Sequence, residues 1–369
     1  MKQEDKTLLH EIGVTRNLSP SSLKVYENAM QNYTSYCGRS FTELLGEAED
    51  EEEQGVRWKH RKVRTYLIGF RAYLMEKYEY KETIRRYFTI VQTIYRHYEI
   101  ELQPLPRIST NTKKTTQIMF DDLPSKDLIR KALQMSNQKL SAITLLICSS
   151  GMGRTEVANL TVQDFIDATR EYHNKTDIHD VLTTLSAKDY IIPTWHLRRQ
   201  KTNKHYLTFS SNESTKQIIS YLQSSNRNLK NDSSLFDIQT QSISLAFQRL
   251  NDALGVGRKG THRLFRPHML RKYHSSTLMQ GENSLTESEI DFLQGRTNTK
   301  LHESYFLYDH EKLKQKYCLK VADLCVTNDV SVKEYSALKV EYDNLLENID
   351  SYVESAFEEA MSKFYEQFE

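Results

Sequence analysis

Apolar residues recur along this chain with helical spacing. Leu23, Tyr26, Met30 and Tyr33 follow one another at steps of three and four. Before them stand Ser19, which suits a helix N-cap, and Pro20, which suits the first helical position. The same period runs through Val63, Tyr66, Leu67, Phe70, Tyr73 and Leu74, predicting a helix over 63–78. It returns in Ile84, Phe88, Val91 and Tyr95, predicting another over 81–99. Between them "GEAEDEEEQG" reads as a solvated acidic loop. "LQPLPRISTNTKKTTQ" breaks the pattern with two prolines and a polar, basic run, the mark of a linker.

Beyond the linker, "DDLPSKDLIRKALQM" starts a new helix. "NQKLSAITLLICSS" reads as a buried helix stopped by Gly151 and Gly153, and "RTEVANLTVQDF" as a further short helix and turn. "DYIIPTWHLRRQKTNKHYLTFSS" is rich in Ile, Trp, Tyr and Thr around a polar turn at Thr202–Asn203, predicting a β-hairpin. From Ser214 the pattern is helical again, with one helix opened by Pro267. Near the end, Tyr335, Leu338, Tyr342, Leu345, Ile349, Tyr352 and Ala356 alternate steps of three and four, a heptad seam that fits a partner helix or a helix packed on its own body. The fold class is therefore mainly α with a small β-hairpin (α+β). The domains are a helical one over 1–105, a linker over 106–118, a second domain over 119–328 and an acidic heptad-bearing helix over 329–369.

Composition adds two things. With 38% hydrophobic and 10% aromatic residues in 369, the chain can bury two cores. The longest apolar run, Ala142 to Cys148, is far too short to cross a membrane, and four cysteines without a CxxC pair fit a reduced cytosol. A formal charge of +1 hides an asymmetry. Residues 331–369 hold ten acids against three lysines, −7 in all, leaving +8 elsewhere. Residues 55–115 hold fourteen Lys and Arg against five Glu. A basic block of this kind suits a polyanion, or else a solvated helical surface. Its candidates for a DNA backbone are Arg57, Lys59, Arg61, Lys62, Arg64, Arg71, Arg85 and Arg86, with Lys113 and Lys114 in the linker.

The candidate chemistry is cationic. His-x-x-Arg occurs twice, at His196/Arg199 and His268/Arg271. On a strand, positions three apart face opposite ways, which makes His196/Arg199 a chance match; on a helix they share a face, as His268 and Arg271 do behind Pro267. Arg154 follows Gly-x-Gly with only Glu156 near in sequence to pair it. Gly295 and Arg296 stand ahead of Tyr305, ten residues beyond the glycine.

In this order — Arg154 in "SSGMGRTEVANLTVQDF", a hairpin lysine in "RRQKTNKHYLTF", His268 and Arg271 in "RPHMLRKY", Gly295-Arg296, and Tyr305 in "SYFLYDHEKLKQKY" — the chain resembles the tyrosine recombinase (phage integrase) family, in particular archaeal-type integrases of mobile elements. The resemblance covers 121–317, with the N-terminal helices similar to the family's core-binding domain. It departs where Arg296 replaces the usual His or Trp and where Glu156 stands two rather than three residues after the first arginine.

The resemblance implies metal-independent DNA strand transfer through a 3′-phosphotyrosyl intermediate, with no cofactor. Arg154 and Arg271 would grip the phosphate, with Arg296 able to supply a third guanidinium where the family has His or Trp; His268 would handle the proton, Lys201 (rival Lys204) would protonate the leaving oxygen and Tyr305 (rival Tyr308) would attack. Guanidiniums stay charged and offer paired donors, and loss of one such donor costs about 3 kcal/mol in the transition state. The implied partners are double-stranded DNA, clamped between two domains, and copies of the same chain, two on a site and four in a synaptic complex. The rival functions are a catalytically weak DNA-binding relative, a type IB topoisomerase-like strand transferase, and a helical scaffold bound through its tail.

Overall fold

The computed structural model describes residues 2–107, 113–114, 117–199, 203–296 and 309–326. The chain divides into two compact units, Met1–Gln117 and Ile118–Glu369, each with its own core. The class is mainly helical with small antiparallel strands, as the hydrophobic pattern predicts.

The first unit holds helices α1 (Gln3–Thr15), α2 (Pro20–Cys37), α3 (Phe41–Glu53), α4 (Lys62–Lys77) and α5 (Lys81–His97). Ser19 caps α2 by accepting a hydrogen bond from the Ser22 amide at 3.2 Å, and Gly38 ends it in the left-handed region. Tyr33 and Tyr95 meet in the core, hydroxyl to hydroxyl, at 3.0 Å. Two elements depart from the sequence reading. The N-terminus, to which no element is assigned by periodicity, is helical and buries Leu8, Leu9 and Ile12. The acidic stretch is no loop: residues up to Glu53 continue α3. A capping box joins Ser40 and Glu43, and buried Asp5 of α1 accepts from the Phe41 amide at 2.8 Å. Phe41, Leu44, Leu45 and Ala48 form the buried stripe. The acids lie outward, where Lys62 and Arg39 lie 2.7 and 3.0 Å from Glu47.

In the second unit α6 (Lys126–Gln134) leads to α7 (Gln138–Ser150), capped by Asn137. Every residue from Ser141 to Ser150 is buried, as befits a helix apolar on all sides. It packs against α6 and, further along the chain, against α11 (Asn212–Ser224), α13 (Pro267–Leu278) and α15 (His310–Leu324). The segment after Gly153 forms two helices rather than one, α8 (Arg154–Asn159) and α9 (Val162–Ala168), and α10 (Ile178–Ser186) follows. The hairpin pairs β1 (Thr194–Arg199) with β2 (Lys204–Phe209) in a register that sets Arg199 opposite Lys204. Asn203 takes the left-handed conformation at the turn. Thr208 Oγ1 donates to the Ser150 carbonyl at 2.7 Å and so fixes β2 to the end of α7. After α12 (Thr240–Ala253) comes a two-residue pairing of β3 (Arg258–Lys259) with β4 (His262–Arg263), which the helical reading beyond Ser214 does not anticipate.

Pro267 occupies the first turn of α13 as its type predicts, and α14 (Glu287–Leu293) opens with a Thr286/Glu289 capping box. On α15 the Tyr317 hydroxyl donates to the Ser149 carbonyl at 2.7 Å. Lys201, Thr202, Tyr305, Tyr308 and the heptad seam of 335–356 lie outside the described residues. Among the described residues, no helix is long and apolar enough to cross a membrane.

Candidate active site

Two glycine turns build the site. Helix α7 stops at Gly151 and helix α14 runs out at Gly295, both with positive φ (64° and 59°). Each turn leaves a backbone carbonyl facing inward, and Arg271 of α13 takes one from each. Its Nη1 donates to the Gly151 carbonyl at 2.7 Å and its Nη2 donates to the Gln294 carbonyl. The side chain is 6% exposed, and burial pulls its pKa down to about 10, which leaves it charged at neutral pH.

A shell of polar side chains holds this arrangement. The Gln294 amide nitrogen donates to the Arg271 carbonyl at 3.1 Å and to His274 Nδ1 at 2.9 Å, which assigns the His274 proton to Nε2. His274 is fully buried. Burial, and then the charges of Arg271 and Arg296, push its pKa down to about 3. From β1, Arg199 donates to the Gly295 carbonyl at 2.6 Å and lies 3.8 Å from the Glu156 carboxylate. The Tyr206 ring of β2 fills the space that a Cβ at Gly295 would need. The hydroxyl of Tyr206, Nε2 of His274 and Oε1 of Gln294 are buried without partners among the described residues.

His268, the second residue of α13, keeps part of its ring in solvent, yet its pKa is pushed down to about 4. Surrounding protein is the largest cause, followed by the charges of Arg266, Lys272, Arg271 and Arg296. The imidazole is therefore neutral at pH 7 and able to accept a proton.

Arg154 lies at the turn that follows α7. It is exposed at the start of α8, and its Nη1 donates to Ser244 Oγ of α12 at 2.5 Å. Glu156, the acid near it in sequence, lies by Arg199 instead. Arg296 is tied to Asp291 by a 2.8 Å backbone bond and a 3.2 Å ion pair. The structure thus brings His268, Arg271 and Arg296 into one electrostatic neighbourhood. Arg154 holds Ser244 instead, and Lys201 and Tyr305 lie outside the described residues. Lys204 is half-buried at the first position of β2.

Sequence reasoning passes over Arg199, Tyr206, His274, Gln294 and Ser244. Arg199 belongs to the His-x-x-Arg match set aside as chance. That judgement holds for His196, which is exposed on the other face, but Arg199 serves the site alone. The signal for Gln294 is its place before a glycine that ends a short helix.

In the first unit the basic candidates differ in what they already hold. Arg57 and Lys59 are exposed beside a recess of 480 Å³, and Arg85 and Arg86 are exposed on α5. Arg61 donates to the Val56 carbonyl at 2.8 Å and pairs with Glu52; Lys62 pairs with Glu47 and Lys114 with Glu79 at 3.0 Å. Arg64 and Lys113 are half-buried. Arg71 lies 5.7 Å over the Phe88 ring with its Nε buried and unpartnered among the described residues.

No protein-family model matches this chain, and no curated protein matches it. Solved structures do, and the lambda integrase among them shows that the chain has the integrase fold. It is similar to a lambda integrase tetramer bound to a Holliday junction, at 11% identity and a TM-score of 0.53, over 83% of this chain and 78% of that one. XerA recombinase aligns at 16% identity over 85% and 96% of the two chains with a TM-score of 0.34. XerH recombinase bound to its difH substrate aligns at 12% over 84% of each with a TM-score of 0.48.

Proposed function

We propose that this protein is a site-specific DNA recombinase, an integrase of a mobile element, that cuts and rejoins duplex DNA through a 3′-phosphotyrosyl intermediate. The observation that carries the reading is the buried guanidinium of Arg271, aimed by two backbone carbonyls into a field of cations around a neutral His268. Although Asp291 and Glu156 stand against Arg296 and Arg199, cations outnumber carboxylates around His268, which suits a phosphodiester whose transition state gathers negative charge on its oxygens.

In this mechanism Arg271 and Arg154 hold the non-bridging oxygens. Tyr305 Oη forms the bond to phosphorus while the bond to the 5′-oxygen breaks. His268 takes the phenolic proton, and Lys201 gives one to the departing 5′-oxygen. Reversal with another strand's 5′-hydroxyl rejoins the DNA without an external energy source, because the phosphotyrosyl link conserves the bond. Arg296 contributes field rather than a direct grip, since Asp291 already holds it. DNA is gripped by the basic residues of the first unit, copies assemble as two on a site and four in a synaptic complex, and residues 329–369 link them. The protein acts at DNA in the cytoplasm. A second reading, a catalytically weak DNA-binding relative, draws on that same Arg296–Asp291 pair, which stands where the family usually has His or Trp.

The test is incubation with nicked duplex sites, without added metal, followed by denaturing electrophoresis. A detergent-stable protein–DNA adduct that disappears in Tyr305→Phe is the expected result. An adduct that persists in Tyr305→Phe moves the nucleophile elsewhere, Tyr308 first. No adduct from the unaltered protein, with DNA binding intact, selects the second reading.

A further inference from the structure

Arg266 stands just ahead of α13, in extended conformation (φ −158°, ψ 160°). Four other arginines of this unit have partners. Arg263 forks onto Asp252 with two 2.8 Å bonds, Arg296 holds Asp291, Arg199 holds the Gly295 carbonyl, and Arg271 holds two carbonyls. Arg266 is half-buried, its Nε is sealed from solvent, and among the described residues that nitrogen has no partner. Its charge falls on the two histidines beside it, His268 and His262. With Lys272, Arg271 and Arg296 it makes four cations acting on one imidazole.

An Nε–H removed from water without a hydrogen-bond acceptor is a net cost to the fold. Stability gives no reason to keep it. A ligand does, if it brings acceptor oxygens and negative charge to the place where the donors point. Arg266 stands two residues ahead of His268, the proton acceptor of the proposed reaction, so the acceptor that fits it is a backbone oxygen of the same DNA.

We propose that Arg266 is a further phosphate-gripping residue of this site and holds the DNA backbone beside His268. This rests on the recombinase reading but adds a contact that the family resemblance does not supply.

The experiment compares the full-length protein with Arg266→Gln, Arg266→Lys and Arg263→Gln. Two quantities are read: the melting temperature without DNA, and affinity for a mixed-sequence duplex of about 30 base pairs between about 50 and about 200 mM salt. For Arg266→Gln the expected melting temperature is unchanged or higher, with affinity down about tenfold at low salt. The slope of log affinity against log salt should shrink by about 0.9, one phosphate contact. Arg266→Lys should keep the slope, because the charge remains, and lose part of the affinity with the fork. Arg263→Gln should lower the melting temperature and leave the slope alone. If Arg266→Gln instead melts earlier, or fails to fold, or binds with an unchanged slope, Arg266 belongs to the fold and the proposal is overturned. Should the unaltered protein show no salt-dependent binding to the duplex, the DNA reading itself fails, and the proposal with it.

Discussion

Arg271 shows how a residue can be recognisable while its setting is not. Its type, and its spacing from His268, are plain in the sequence. Its acceptors are main-chain carbonyls 120 and 23 residues away, which carry no side-chain signature. The same holds for the Gln294–His274 pair, two residues that look unremarkable until the turns close around them. His274 gives a prediction at this scale. Its folded pKa is held near 3 against an ordinary value of 6.5, so the unfolded chain binds the proton more readily. Stability is present above pH 6.5 and is lost as pH falls from there toward 3, by about 1.4 kcal/mol per pH unit from this group. Urea denaturation of the unaltered protein and His274→Gln at pH 7 and pH 5 should show a shallower pH dependence in the variant. Equal dependence would assign the acid sensitivity to other groups.

At the scale of elements, legibility followed the strength of local signals. Pro267, the Ser19–Pro20 cap and the β-rich run around Thr202–Asn203 each name their element, and α2, α13 and the hairpin are where those signals put them. Helix α3 was hidden because the run from Glu47 to Glu53 outweighs, to the eye, the apolar stripe begun by Phe41. The compensating partners, Arg39, Lys62 and the Asp5 cap, are distant in sequence. The glycine turns are the elements most exposed to test. Gly38 and Gly295 both have positive φ, so alanine at either costs about 1 kcal/mol in backbone strain. At Gly38 nothing lies within 4 Å of the added methyl, whereas at Gly295 it would sit 2.7 Å from the buried Tyr206 ring. Gly295→Ala should therefore lose about 2 kcal/mol more than Gly38→Ala by chemical denaturation. Equal losses would mean that the ring and turn yield freely.

At the scale of the whole molecule, the two cores share no residue. Calorimetry should resolve two transitions, and a fragment beginning at Ile118 should retain one of them; a single transition lost on cutting would show the units to be thermodynamically one. The position of the site within the second unit has a further consequence, in time rather than in space. During synthesis Gly151 leaves the ribosome long before Arg271, and the second carbonyl that aims Arg271 comes only with Gln294. A nascent chain shorter than this can present its basic helices to DNA but has no aimed guanidinium. On the recombinase reading proposed above, a nascent copy acquires its basic helices before it acquires the means to cut.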